Sequence, residues 1–467
     1  MIRKYLTVLG VAASYFVQAQ DISVLKNAAD VYSDIQVAGT SKSNAMAGAL
    51  GALGGDISSV NSNPAGIGVY ITNDLSLSLN IDNSKNTSRM HGAALGYSLS
   101  KVNLGQVGAV SVFQTNEQSG FKFFNLAVNY SAKSIENYVE TPANPNIALL
   151  DNTNTPIYRF NGHAYNRTGN LSKISIAGGA NYENKIYLGV SANLYSADIK
   201  QDDTSAWKKV SDGTIEYFNK QYTPYAEEAS GASLNLGIIG KISQEFRLGL
   251  AVESPTWWKI DRTYQYYSKD GKSDRQYSES RNFISPLKTT ISAAYVPSKN
   301  FALNVDYSLG LTRPKYDTQS KGVDTEFENY YKDFNKNQSE FRVGAEYRYH
   351  QFRLRGGYAY ATKQHKDVLV TSFNANGSTS DNRYNNPISG ERTTLAAGLG
   401  YDFKSFYIDA AFQHINAKYS NLFLYGDDAA ESGYYSTKTT NNFSGDYAVS
   451  EVKNIRNILT FTLGWKF

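Results

Sequence analysis

Apolar and polar residues alternate over long stretches of this chain. Leu75, Leu77, Leu79 and Ile81 interleave with Ser76, Ser78, Asn80 and Asp82. Phe341, Val343, Ala345, Tyr347 and Tyr349 interleave with Arg342, Gly344, Glu346 and Arg348, and the same rhythm runs through Phe246–Val252 and Phe301–Tyr307. A period of two places one apolar and one polar or small face on a β-strand. The runs reach about ten residues or more, against about five or six in ordinary strands. Tyr and Phe gather near their ends, where the aromatic girdles of a membrane barrel meet the two interfaces. A soluble sandwich shares the alternation; strand length and aromatic placement favour the barrel.

The links between runs alternate in length. Short ones fall near Thr115–Gln118, Glu183–Asn184, Ser243–Glu245, Ser298–Lys299, Gln351 and Lys404. Long polar ones fall near Asn83–Lys101, Lys133–Gly169, Ile199–Ser230, Ser268–Arg275, Asp317–Gln338, Lys363–Gly390 and Tyr419–Lys453. About seven long and six short links give about fourteen strands, an even number, with short turns on one side and long loops on the other, as in outer-membrane barrels. The sheet must close, because an open edge in lipid leaves backbone groups unpaired. The expected fold is therefore all-β: a closed antiparallel transmembrane β-barrel of about fourteen strands.

Composition narrows the picture. The 467 residues are 41% hydrophobic and 19% charged, with 36 Tyr, 22 Phe and no Cys. Beyond the first twenty residues no apolar run approaches the roughly 18 a spanning helix needs. The net charge of +4 is spread along the chain, so no nucleic-acid partner is expected. Arg3 and Lys4, the apolar Tyr5–Phe16 and the small-residue site Val17-Gln18-Ala19 form the pattern of a secretory signal peptide over residues 1–19. Without Cys there is neither a lipid anchor nor a disulfide framework.

The ends of the mature chain carry their own marks. Leu459, Phe461, Leu463, Trp465 and Phe467 share one face of the last strand, and an aromatic C-terminal Phe467 resembles the signal read by the outer-membrane assembly machinery. Residues 20–72 do not alternate, and 73–467 make the barrel with its loops. Within 20–72, Ser43 to Asp56 is almost all small residues. Ser43 reads as a helix N-cap and Gly54-Gly55 as its stop. Asn63-Pro64-Ala65-Gly66 reads as a tight turn, Asn before Pro being driven from the helical region. A barrel this wide needs either a plug or an open channel, and this segment is the expected plug.

The stretch Gly39-Thr40-Ser41-Lys42-Ser43-Asn44-Ala45-Met46-Ala47-Gly48-Ala49, then Gly55-Asp56, then Asn61-Ser62-Asn63-Pro64-Ala65-Gly66-Ile67-Gly68, resembles the hatch of the FadL-type outer-membrane transporters, which carry long-chain fatty acids or aromatic hydrocarbons. The resemblance implies a fourteen-stranded barrel in the Gram-negative outer membrane, plugged by an N-terminal hatch with a gate at Asn63, Pro64, Ala65 and Gly66. It implies passive uptake of hydrophobic small molecules, captured by the outer loops and released by hatch movement or a lateral wall opening. Outer loops rich in apolar residues agree, with Trp207, Ile215, Tyr217 and Phe218 as candidate ligand contacts; the same side chains would serve equally to pack the loops together.

The remaining chemistry is sparse. The five His (His91, His163, His350, His365 and His414) have no metal-ligand spacing. A barrel phospholipase would need a Ser beside a His, and nothing nominates a Ser for His414. No catalytic residue, metal site or cofactor is expected. Inward charges at Arg247, Glu253, Asp306, Arg342, Glu346, Arg348, Arg353 and Arg355 are expected to pair and hold the plug. The expected partners are a hydrophobic ligand, outer-membrane lipid and the assembly machinery, with the chain as a monomer. Two other functions share the fold: a structural or adhesive surface protein that displays loops, and a general polar porin.

Overall fold

The computed structural model describes residues 22–34, 39–116, 118–268, 272–318, 321–427, 432–436 and 442–467. The expected signal peptide, residues 1–19, lies outside the described residues. Fourteen antiparallel strands close into a barrel. The first seven, in wall order, are Asp74–Met90, Ala93–Gln114, Phe121–Ser134, Pro156–Tyr182, Ile186–Lys209, Tyr225–Lys241 and a broken strand, Phe246–Glu253 with Trp257–Tyr266. The eighth (Arg275–Ile284 with Lys288–Ser298) and ninth (Phe301–Gly310 with Lys315–Asp317) are broken as well. The last five are Ser339–Tyr349, Phe352–Ala361, Arg392–Asp402, Phe406–Phe423 and Ala448–Lys466. The first strand pairs with the last over Asp74↔Lys466 to Arg89↔Glu451, so the lower wall has no edge.

The alternation maps onto the wall. Leu75, Leu77, Phe341 and Phe461 are exposed on its outside, while Ser76, Ser78, Asp306, Glu346 and Arg355 are buried inside. Phe113, Tyr182, Phe246, Tyr349, Phe352 and Trp465 are exposed within a few residues of the short turns and form one girdle. Those turns fall where the short links were expected. Glu183, Asn184, His350 and Lys404 take the positive φ that tight reversals need (50°, 54°, 52° and 75°).

The long links are largely not loops. Asn83–Lys101 is strand except for the two-residue turn His91-Gly92, and the fourth and fifth strands run for 27 and 24 residues. At about 3.3 Å per residue these strands far outreach an apolar band about 25 Å tall, even when tilted. Above the membrane water bathes the outer face, so the apolar face that marks a strand in lipid is missing. The remaining outer connections hold a helix, Lys321–Phe334, and a hairpin of Val368–Phe373 with Thr379–Tyr384.

Residues 22–34 and 39–70 lie inside the barrel as two pieces. Ile22–Asn27 is α-helical and Ala28–Ser33 continues it as a π-turn in the outer half. Gly39 to Tyr70 packs near the short turns as three brief helical turns: Ser41–Ala45, Ile57–Asn61 and Pro64–Val69. The first helix is shorter than its composition suggests. Thr40, not Ser43, is the N-cap, accepting from the Ser43 N–H, and Ala47 and Gly48 at φ 50° and 79° end the helix long before Gly54. Pro64 opens its turn with Asn63 as cap, as the sequence implies.

Candidate functional site

The lumen is divided into three levels. The outer level is an aromatic chamber. Trp258, Phe283, Tyr316, Tyr330 and Tyr331 are buried there, the last two contributed by the helix Lys321–Phe334, which roofs the chamber. Its occupant is the chain itself: Val24, Leu25, Ala28, Val31 and Tyr32 fill the space. The Trp258 indole donates to the Tyr32 carbonyl at 3.2 Å, and the Tyr32 hydroxyl donates to Glu227 at 2.9 Å. Burial and the neighbouring Glu227 carboxylate raise the Tyr32 phenol well above its usual range, so it acts as a donor at any working pH. His365 stands at the chamber edge with its Nδ1 3.2 Å from the Tyr330 hydroxyl. Burial lowers its pKa to about 4, with Lys26 adding to the effect and Asp30 opposing it.

The middle level is polar. A cavity of about 340 Å³ separates the outer piece from the inner one. Asp82 with Arg456, Glu340 with Arg342, and Asp34 with Arg392 are ion pairs around it, and Lys133 also faces it. Burial opposes the Asp34 carboxylate, but Arg392, Lys133 and Lys288 outweigh that and bring its pKa down to about 2. Lys288 also donates to the Ser33 carbonyl at 2.7 Å. These bonds pin the lower end of the outer piece. Charged side chains therefore interrupt any straight apolar path down this lumen.

The inner level is packed with the chain from Gly39 to Tyr70. Asn63, Pro64, Ala65 and Gly66 are all buried and lie against the wall. The wall meets them with glycine. Gly179, Gly189 and Gly237 are ladder partners across the fourth, fifth and sixth strands, so they form a row at one height. A Cβ at Gly189 would overlap the Pro64–Ala65 peptide, and one at Gly237 would come to 3.0 Å from Asn63 Cγ and Pro64 Cδ. Asn63 donates through Nδ2 to Gly51 O at 2.8 Å and to Ile238 O at 3.2 Å, and accepts from Ala65 N at 3.0 Å. Of the inward charges, Asp306 accepts from Leu50 N and Gly51 N at 3.1 and 3.2 Å, and Arg247 donates to Leu53 O at 3.2 Å. The others pair mainly with the wall itself: Glu346 with Arg348 and Arg355, and Arg353 with Asp402.

A seam interrupts the wall between the aromatic and inner levels. The seventh, eighth and ninth strands break side by side at Ser254-Pro255-Thr256, Ser285-Pro286-Leu287 and Leu311-Thr312-Arg313-Pro314. Each break contains a proline, which has no N–H for the ladder. Side chains make up part of the loss: Thr256 N donates to Ser285 Oγ and Leu287 N to Thr312 Oγ1, both at 2.8 Å. Eight residues, Phe246–Glu253, separate the seam from its short turn. At 3.3 Å each and a tilt near 45° that is about 19 Å, still inside the apolar band. Behind it a cavity of about 100 Å³ reaches from Pro286 and Gly310 in the wall to Asp34 and Asn61 in the lumen. Three prolines at 255, 286 and 314 were the available signal for this feature.

The four loop residues singled out from the sequence do not converge. Trp207 and Phe218 are buried together in the core of the outer loops, their rings 6.1 Å apart. Ile215 and Tyr217 are exposed on the opposite face. His163 and Asp203, 2.7 Å apart, belong to this loop core, and Tyr434 donates to Asp203 at 2.6 Å. His414 lies mid-strand and bonds Asn457 at 2.8 Å. Phe467 is 75% exposed at the foot of the closing strand.

No protein-family model and no curated protein sequence matches the chain. Solved structures do. The toluene transporter TodX of Pseudomonas putida superposes with a TM-score of 0.56 at 12% identity, over 92% of this chain and 99% of its own. A FadL homologue of Pseudomonas aeruginosa gives 0.57 at 11% identity, over 93% and 100%. The monoaromatic hydrocarbon channel CymD gives 0.53 at 13% identity, over 93% and 98%. The chain has the fold of the FadL-type transporters. At such identities the shared property is the barrel, and the levels of the lumen have to be read from this chain's own residues.

Proposed function

We propose that this protein is a passive route for hydrophobic small molecules across the Gram-negative outer membrane. The observation that carries the reading is the aromatic chamber in the outer half of a sealed barrel, filled by the chain's own apolar segment. Such a chamber has affinity for apolar solutes, which an open polar pore lacks. Residues 20–72 act as the hatch, with Asn63, Pro64, Ala65 and Gly66 as its gate against the glycine row. The outer loops make first contact, Ile215 and Tyr217 at the surface, with Trp207 and Phe218 supporting the loop that carries them. Release from the chamber follows movement of the hatch or a lateral opening of the wall at the proline seam. Phe467 is the assembly signal, and the working unit is a monomer.

Proteoliposomes test the reading. Labelled laurate and toluene should enter faster than into protein-free vesicles, while sucrose should not. Ala65→Trp should slow both hydrophobic solutes at an unchanged amount of heat-modifiable barrel. Sucrose entry at the hydrophobic rate, or no hydrophobic entry at all, overturns the proposal.

A further inference from the structure

The outer face of the wall carries one lopsided patch of charge. Lys418 and Lys453 are ladder partners on the last two strands. Lys453 is also the ladder partner of Thr87 on the first strand, which stands between Lys85 and Arg89 on the same face. All four cations are exposed. At about 3.3 Å per residue and a tilt near 45°, Lys85, Lys418 and Lys453 stand about 26–30 Å above the short-turn ends of their strands. That is the height at which an apolar band about 25 Å tall gives way to lipid head groups. Directly below, the same face is apolar, with Ile81, Phe412 and Phe461 exposed. Like charges opposite each other on a ladder are destabilising, and the acid in the patch is Glu451, opposite Arg89. Among the described residues none of the four cationic side chains has an ion-pair or hydrogen-bond partner. The far side of the barrel differs at this height. Lys200 and Lys259 stand there among Asp198, Glu228 and Asp261, with Lys259 3.7 Å from Asp261.

We infer that this patch is a binding site for a bisphosphorylated glycolipid of the outer leaflet, the chemistry of lipid A. Its phosphates sit on Lys85, Arg89, Lys418 and Lys453, and its acyl chains run along Ile81, Phe412 and Phe461. Charge selects the ligand. Four cations less the Glu451 carboxylate leave a surplus of about three positive charges. A phosphate monoester carries about −1.5 to −2, so two of them match that surplus, whereas a phosphodiester lipid brings a single charge. Free phosphate could meet the cations but would gain nothing from the apolar column beneath them, where acyl chains make dispersion contacts. The inference goes beyond the transport reading: it uses only the outside of the wall and stands or falls separately from any path through the lumen.

The chain has no cysteine, so a single thiol reports cleanly. Thr87→Cys in phosphatidylcholine nanodiscs is labelled by a water-soluble maleimide in the presence of lipid A, its dephosphorylated form, phosphatidylglycerol or inorganic phosphate. Lipid A should slow labelling about tenfold at a level where the other three change it less than about twofold. Lys418→Gln with Lys453→Gln should abolish the protection, while Lys418→Arg with Lys453→Arg keeps it. Lys200→Gln with Lys259→Gln removes the same charge from the far side and should leave protection unchanged. Asn416→Cys repeats the measurement if the first thiol disturbs assembly. Equal protection by the dephosphorylated lipid, by phosphatidylglycerol or by phosphate overturns the site, as does lipid A protection that survives the Lys418 and Lys453 glutamine changes. Intact protection in a protein that carries no solute would sink the transport reading and leave this one.

Discussion

Replacing Gly237 by alanine tests the seal with one methyl group. Its Cβ would enter the space of the Asn63 side-chain amide, which is fully buried. Asn63 cannot retreat and keep its three bonds, to Gly51 O, Ile238 O and Ala65 N, because all three fix the same amide group. At about 1 kcal/mol net for each hydrogen bond, the docked position loses about 3 kcal/mol. That is about a hundredfold in the ratio of docked to undocked segment. Gly240 lies on the same strand, and a Cβ placed there would meet no atom within 4 Å, so Gly240→Ala is the matched control. Conductance in planar bilayers reads the result: brief openings to small ions should become about a hundredfold more frequent in Gly237→Ala and stay unchanged in Gly240→Ala. A Gly237→Ala barrel as silent as the native one would refute the claim that the glycine row seats the segment.

The chamber roof should respond to pH. His365 has a pKa of about 4 in place, against an ordinary 6.5. It is neutral when folded, so its share of stability is full above pH 6.5 and is lost as pH falls through that window towards 4. At about 1.4 kcal/mol per pH unit the loss is about 3 kcal/mol. Hydrogen exchange over Lys321–Phe334 should rise between pH 6.5 and 4 and become flat in His365→Gln; equal pH dependence in both would contradict this. Val128 is 54% exposed on the lipid face, so Val128→Arg should cost about 2–4 kcal/mol in unfolding from bilayers. Deleting Phe467 should lower the amount of heat-modifiable barrel in the outer membrane several-fold; normal amounts would remove its assigned role.

The sequence was most legible where lipid touches it. Leu75, Leu77 and Leu79 alternate with polar partners because one face meets hydrocarbon and the other the lumen. Legibility faded above the membrane: Asn83–Lys101 is strand, yet water on the outer face erases the contrast. Ile215 and Tyr217 differ from Trp207 and Phe218 in parity along the outer hairpin, a signal that could have separated them. The glycine row hid in plain view, since Gly179, Gly189 and Gly237 read only as small inward residues until the buried backbone opposite them is known. The chamber's occupancy by Val24–Tyr32 had no local signal, because it depends on contacts between residues hundreds of positions apart.

The inner piece precedes the first strand in sequence but is bonded to the last. Ser41 N donates to Thr462 Oγ1 at 2.7 Å, and Asn44 Nδ2 donates to Thr460 Oγ1 at 2.9 Å. The same final strand zips to the first to complete the wall. The inner piece therefore cannot reach its final seat until the end of the chain has arrived, and the strand that shuts the ring also supplies the last part of that seat. Closing the wall and stopping the hole become one event in assembly, so a folding barrel need not pass through a finished but leaking form.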